Sequence, residues 1–124
     1  MKRPPKIAES EWLVMRVLWQ KAPRTANEVV DELTGQTKWH PKTVKTLLGR
    51  LTRKKALGFK KGGRAYRYYP LVREAECAKA ESASFLKRVY RGALAPMLAN
   101  LLEDEALSDA EIAELRRILD ERKE

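Results

Sequence analysis

The sequence predicts a mainly α fold carrying one small β-hairpin. Three observations lead there. Apolar residues recur at helical spacing in three short segments ahead of residue 54. Two aromatic-bearing runs then flank Gly62-Gly63. After Pro70 the remaining 54 residues stay helical in pattern almost to the end. Three short helices followed by a basic hairpin is the plan of a winged helix-turn-helix, here spanning residues 1–71. Residues 72–124 read as a helical dimerisation region.

Each element has a local reason. The basic segment Met1–Lys6 reads as a loose arm. Glu9 to Gln20 forms the first helix, with Ala8 or Ser10 as weak candidate caps. Trp12, Leu13, Met15, Val17, Leu18 and Trp19 make it apolar around much of its circumference, as a buried helix should be. Pro23 breaks the chain, and Thr25-Ala26-Asn27-Glu28 supplies a capping box for a second helix that ends near Thr34-Gly35. Pro41 suits the first position of a third helix. There Val44, Leu47, Leu48 and Leu51 recur at i, i+3, i+4 and i+7. Leu57–Lys61 and Ala65–Tyr69 are the hairpin strands around Gly62-Gly63-Arg64. Three further helices are expected over about Arg73–Tyr90, about Ala95–Leu102, and from the capping box of Ser108 and Glu111 to about Arg122.

Charge divides the chain. Its 26 Lys+Arg and 17 Asp+Glu give a net charge of +9. Residues 1–70 hold 17 basic and 5 acidic side chains, so +12; residues 71–124 hold 9 and 12, so −3. A basic half gains affinity for a polyphosphate by releasing its counterions, whereas a near-neutral half packs against a second copy without strong repulsion. One cysteine, Cys77, rules out an internal disulfide and suits a cytoplasmic protein. No apolar run is long enough for a membrane span, and the N-terminus lacks the apolar core of a signal peptide.

The third helix carries the chemistry. Its apolar arc would seat it on the first two helices and leave short and cationic side chains facing outward. Lys42, Lys45 and Arg53 have the reach and charge for phosphates. Thr43 and Thr46 suit base edges or a thymine methyl, and the fork of Arg50 suits a guanine edge. Gly49 removes bulk at the centre of this face. Lys60, Lys61 and Arg64 cluster at the hairpin, where no core needs them. Trp39 reads first as a packing plug whose N–H could reach a phosphate. His40 occupies the cap position as a poor substitute cap, and as the single histidine it excludes a histidine metal cluster. Cys77 reads as a small buried hydrophobe. The sequence shows no catalytic constellation, no metal motif and no phosphate-cradling glycine loop, so neither an enzyme nor a cofactor is expected.

Longer runs resemble a known family. They are Glu11-Trp-Leu-Val-Met, Thr25-Ala26-Asn27-Glu28, Trp39-His40-Pro41-Lys42-Thr43-Val44-Lys45-Thr46-Leu47-Leu48, Lys60-Lys61, Tyr66-Arg67-Tyr68-Tyr69-Pro70-Leu71-Val72, Ser84-Phe85-Leu86, and Leu107-Ser108 through Leu119. Together they resemble the penicillinase repressor family, the repressors of beta-lactamase and methicillin-resistance genes, over nearly the whole chain. The resemblance implies a bacterial repressor with a winged N-terminal domain, a dimer held by its C-terminal helices, and operators containing inverted repeats. It also implies induction by a membrane sensor of beta-lactams, followed by a cut in the dimerisation region that falls here at Asn100-Leu101. This chain has leucine at 101 where the family pattern has phenylalanine, histidine at 40 where it usually has serine, and glycine at 49 where it usually has asparagine. A copper-responsive branch carries a C-terminal cysteine-rich motif that this chain lacks.

The expected partners are therefore double-stranded operator DNA, a second copy of the chain and a membrane sensor protease system, with no direct membrane binding. The dimer contacts are expected from Phe85, Leu86, Tyr90, Leu98, Leu102, Ile112, Leu115 and Leu119. The competing readings are a winged-helix regulator that takes a small molecule at its dimer interface and an interaction module whose basic half binds acidic proteins.

Overall fold

The computed structural model describes residues 3–123. The chain runs α1 (Glu9–Gln20), β1 (Arg24–Thr25), α2 (Ala26–Thr34), α3 (Pro41–Arg53), β2 (Leu57–Gly62), β3 (Ala65–Pro70), α4 (Glu74–Tyr90), α5 (Leu94–Glu103) and α6 (Asp109–Glu121). It divides into two compact units, one up to Ser84 and the other from Phe85. The mainly helical winged fold expected from the sequence is the fold observed.

The first unit is organised around α3. Val44, Leu47, Leu48 and Leu51 are all buried, as their spacing requires. They meet Val14, Met15 and Leu18 of α1 and Val29, Val30 and Leu33 of α2 in one apolar cluster that also takes in Ile7, Leu57 and Cys77. Each such aliphatic side chain gains about 1.5–3 kcal/mol by leaving water. Thr25 and Glu28 close the expected capping box: Thr25 N–H donates to Glu28 Oε1 at 2.9 Å, and Glu28 N–H donates to Thr25 Oγ1 at 3.2 Å. Lys55, at φ 66°, turns the chain out of α3 and into β2, while Ala56 N–H donates back to Leu51 O at 3.0 Å.

The sheet has a strand that the sequence reading did not anticipate. β1 is only Arg24 and Thr25, and it pairs antiparallel with β3 opposite Tyr68 and Arg67. The order is β1-β3-β2, so the hairpin is anchored on one edge to the residues that start α2. A two-residue strand has no periodicity to detect. The arm differs from expectation as well. Met1 and Lys2 lie outside the described residues, but Lys6 O accepts from Lys54 Nζ at 3.1 Å and Ile7 is buried, so the arm is tied down at its far end.

Burial holds the Cys77 thiol above its ordinary value, helped by the neighbouring Glu76 carboxylate. Trp19 Nε1 donates to Val72 O at 2.9 Å, which fixes the chain between the wing and α4. In the second unit Arg91 and Gly92, at φ 52° and 86°, end α4. The Ser108–Glu111 capping box forms on α6 as expected. No large apolar side chain of this unit is fully buried among the described residues; Phe85, Leu94, Leu101, Leu102, Leu115 and Leu119 are all exposed.

Glu11 was expected only as part of a buried helix, and it is 0% exposed. Its Oε1 accepts from Ala8 N–H at 2.8 Å, closing the open end of α1 where Ala8 has no side-chain acceptor. The same oxygen accepts from Lys54 Nζ at 2.5 Å. Burial pushes the Glu11 carboxyl up, but the Lys54 and Ala8 hydrogen bonds and the charges of Lys54 and Arg50 outweigh it and hold the group below 4.5. A depressed carboxylate contributes stability that is present above its ordinary value and is lost as pH falls through the folded one. Lys54→Met should therefore cost about 1–3 kcal/mol at pH 7 in urea unfolding, since it leaves a buried charge poorly paired. The gap between wild type and Lys54→Met should shrink as pH falls through the lowered folded value of Glu11 and the carboxyl becomes protonated; a gap independent of pH would mean that Glu11 plays no part in it.

Candidate nucleic-acid interface

α3 presents one continuous groove to solvent. His40, Lys42, Thr43, Thr46, Leu47 and Arg50 line an open depression of about 510 Å³. Its shape follows from α3 itself: the buried stripe sits against α1 and α2, and the residues two steps round the helix face out. Lys45 and Arg53 are exposed on the same helix but do not line the groove. A Cβ at Gly49 would meet nothing within 4 Å, so glycine there is not demanded by the chain's own packing.

Two residues ahead of α3 hold its N-terminus. His40 Nδ1 accepts from Lys42 N–H at 3.0 Å, so the ring is a working cap and not merely a residue in the cap position. With Nδ1 accepting, the proton of the neutral ring is on Nε2, a donor beside the α3 N-terminus. The N-terminal N–H groups and the lysine at position 42 make this end favourable to an anion. Trp39 is half-buried against the apolar core, which fits the packing role.

Arg50 is not an isolated cation. Its Nε lies 3.5 Å from Glu11 Oε2, while its side chain remains 46% exposed and lines the groove. The sequence reading gave Arg50 no partner, because Glu11 is 39 residues away on another helix.

The wing divides its charges between two faces. Directly opposed residues of an antiparallel pair share a face, and Lys60 opposes Arg67 while Lys61 opposes Tyr66. Lys60 therefore projects with Arg67, and Lys61 projects on the other side with Phe59 and Tyr66, whose rings meet edge-on with centroids 5.1 Å apart. On the first face Lys60, Arg67, Tyr69 and Pro23 line a second depression of about 250 Å³. Lys60 Nζ stands 5.8 Å over the Tyr69 ring. That ring crosses Gly58, where an added Cβ would come within 2.8 Å of it. Arg67, half-exposed and 3.9 Å from Glu28, was absent from the sequence-based set. The alternation Tyr66-Arg67-Tyr68 and the strand register were the signals that place it beside Lys60. Arg64 is exposed at the turn, next to Gly63 at φ 63°.

Groove and wing together form a cationic surface with a readable helix face, and the dimensions of a helix with short outward side chains suit a DNA major groove. Among the described residues no three His, Cys, Asp or Glu come together as a metal site, and no helix is long and apolar enough to cross a membrane.

Comparison with known proteins agrees. The family described as penicillinase repressor matches residues 7–121. The penicillinase repressor of Bacillus licheniformis is 43% identical over 123 residues, covering 99% of this chain and 96% of that protein. The methicillin resistance regulatory protein MecI of Staphylococcus aureus (strain N315) is 38% identical over 116 residues, 94% of each chain. Among solved structures, the DNA-binding domain of the repressor BlaI in solution superposes with a TM-score of 0.55 at 41% identity, covering 61% of this chain and 93% of that one. The monomeric form of Bacillus licheniformis BlaI in complex with the blaP half-operator gives 0.54 at 41% identity with the same coverage.

The two surfaces differ in what they should read. Lys60→Ala, Lys61→Ala and Arg67→Ala should each weaken a recognised and a random duplex alike, and reduce the slope of log affinity against log salt by about 1. Fluorescence anisotropy at several salt concentrations measures both quantities. An unchanged slope for Lys61→Ala alone would assign DNA contact to the Lys60–Arg67 face.

Proposed function

The chain belongs to the penicillinase repressor family and is a DNA-binding transcriptional repressor; from that premise we propose that it works as a homodimer on an operator made of inverted repeats. In this reading residues 1–71 read DNA and residues 72–124 join the two copies. The observation that carries it is the cationic groove of α3, which Lys42, Thr46 and Arg50 help to line. Lys42, Lys45, Arg53 and the wing cations hold the phosphates, while Thr43, Thr46 and Arg50 meet base edges. The BlaI complex supports the arrangement, since that relative engages a half-operator as a monomer. A dimer covering two half-sites would then occlude a promoter.

The dimer reading draws on the second unit. Of the expected contact residues, Phe85, Leu102, Leu115 and Leu119 are exposed, and Leu86, Tyr90, Leu98 and Ile112 are half-buried. Leu119 remains 55% exposed. A run of apolar helices with no buried core of its own is the mark of an association surface, and the charge of −3 over residues 71–124 opposes association only weakly. Induction follows as a cut between Asn100 and Leu101, both exposed in α5, driven by a membrane sensor system. Such a cut detaches α6 with Ile112, Leu115 and Leu119.

The test uses an inverted repeat of the blaP half-operator, with half-site centres about one helical turn apart, against a scrambled duplex at ~0.2 M salt. The repeat should bind and the scramble should not; equal binding favours a generic polyanion binder. Sedimentation of the wild type at micromolar concentration should show twice the 14.3 kDa chain mass. Leu115→Asp should give a monomer, or a partly unfolded second unit, with weak binding to the repeat. A clean 14.3 kDa wild-type species ends the dimer reading.

A further inference from the structure

We infer that Glu11 sets the operator's base preference without touching DNA: from inside the first unit it pairs with the Nε side of Arg50 and so leaves the terminal Nη1/Nη2 fork as the edge presented to a base. This deepens the proposed function and rests on the reading of Arg50 as a base reader.

Glu11 Oε1 is fully used, by Ala8 N–H at 2.8 Å and Lys54 Nζ at 2.5 Å. Oε2 is buried and has no hydrogen-bond partner among the described residues. A buried carboxylate oxygen left without a donor is costly, and a cation stands beside it: Arg50 Nε lies 3.5 Å away. That is about 0.5 Å longer than a formed N–H···O bond. The pair therefore attracts without a closed hydrogen bond, and Oε2 keeps an acceptor beside the Nε side of Arg50.

A guanidinium offers two edges for paired donation, the Nε side and the terminal Nη1/Nη2 side. With its Nε side facing Glu11, Arg50 has the terminal fork left for the O6 and N7 acceptors of guanine. Fixing one end of a long side chain also removes rotamer freedom that would otherwise be lost on binding. Arg50 lines the groove with Thr43 and Thr46, so the held group sits beside the other candidate base contacts. Lys54 pairs with Glu11 through Oε1, and Arg50 is the cation beside Oε2 at 3.5 Å. Among the described residues Arg53, on the same helix, shows no comparable tie to a buried acid and fits a phosphate contact.

The test is a selection from a randomised duplex pool, run on the full-length wild type, Arg50→Ala and Glu11→Gln. Titrations follow on the wild-type consensus and on duplexes changed at one base pair. Glutamine is chosen because its single carbonyl can serve Ala8 and Lys54 or Arg50, but not both sides. Arg50→Ala should flatten the preference at one base pair per half-site by about 5- to 100-fold. Glu11→Gln should flatten the same pair by about 3- to 10-fold and leave the other positions as in the wild type. If Glu11→Gln lowers thermal stability but keeps the full preference at that pair, the inference is overturned and Glu11 is a structural carboxylate only. If Arg50→Ala keeps every preference, the base-reader reading fails first and takes the inference with it. A measurement on the wild type guards against a variant that does not fold. In the free protein the Arg50 Nε–H proton should exchange with water more slowly than that of Arg53, by ¹⁵N NMR. Equal exchange overturns the inference.

Discussion

The buried carboxylate of Glu11 connects parts of the chain that lie far apart in sequence. It closes the N-terminus of α1 through Ala8, draws in Lys54 just past the end of α3, and lies against Arg50 on the groove side of α3. Lys54 in turn holds the carbonyl of Lys6. Apolar packing alone fixes which stripe of α3 is buried, but it resists rotation and sliding along that stripe only softly. A charged contact with two cations on α3 and its cap is directional. The helix that carries Thr43, Thr46 and Arg50 is thereby tied to a group that is itself fully buried. This is an expensive arrangement for stability, since a buried ion pair seldom outperforms an apolar replacement. Its return is a defined angle for the helix that carries the groove.

What was legible in the sequence and what was not divides along the distance of the interactions. The capping boxes at Thr25–Glu28 and Ser108–Glu111 are contained in four residues each, and both form. The apolar stripe of α3 repeats within one helix, and all four of its members are buried. The hairpin turn is written in Gly62-Gly63. By contrast, the Glu11–Lys54 bond spans 43 residues, and no periodicity encodes it. Glu11 read as one more residue of a buried helix, and its exceptional burial as an acid was the signal left unused. His40 reads from the sequence as a poor substitute cap, yet Nδ1 reaches the Lys42 N–H as a carboxylate or hydroxyl would. The outward face of α3 was legible as a set; the fact that Arg50 shares it while tethered from within was not.

The wing shows how register changes the meaning of a short basic run. Lys60 and Lys61 are neighbours in sequence, but period-two alternation sends them to opposite faces. One face gathers Lys60 and Arg67 over Thr25, and the other gathers Lys61 with the Phe59 and Tyr66 rings. Gly58 makes the first face possible, because only a residue without a side chain leaves room for the Tyr69 ring. The tie of β1 to β3 then connects that face to the cap of α2. A cation on this face is thus braced by an ordered strand pair, whereas Arg64 sits at the turn, where the backbone is held only by the hairpin itself.

The two units carry their apolar residues in opposite ways, and this bears on how a repressor can be switched off. Every buried apolar residue among those described lies between Ile7 and Cys77. The groove, the wing and the Glu11 contacts all belong to that stretch. The second unit keeps large apolar side chains at its surface. In the proposed reading, loss of α6 after a cut at Asn100 would leave the DNA-reading unit folded and its groove intact. What it would remove is the coupling of two half-sites, through which the second contact becomes intramolecular and gains orders of magnitude in effective concentration. Control then acts on association, and the reading surface need not change shape. A protein built this way can combine a rigid, internally braced helix for recognition with a separable region for regulation, because the two depend on different residues.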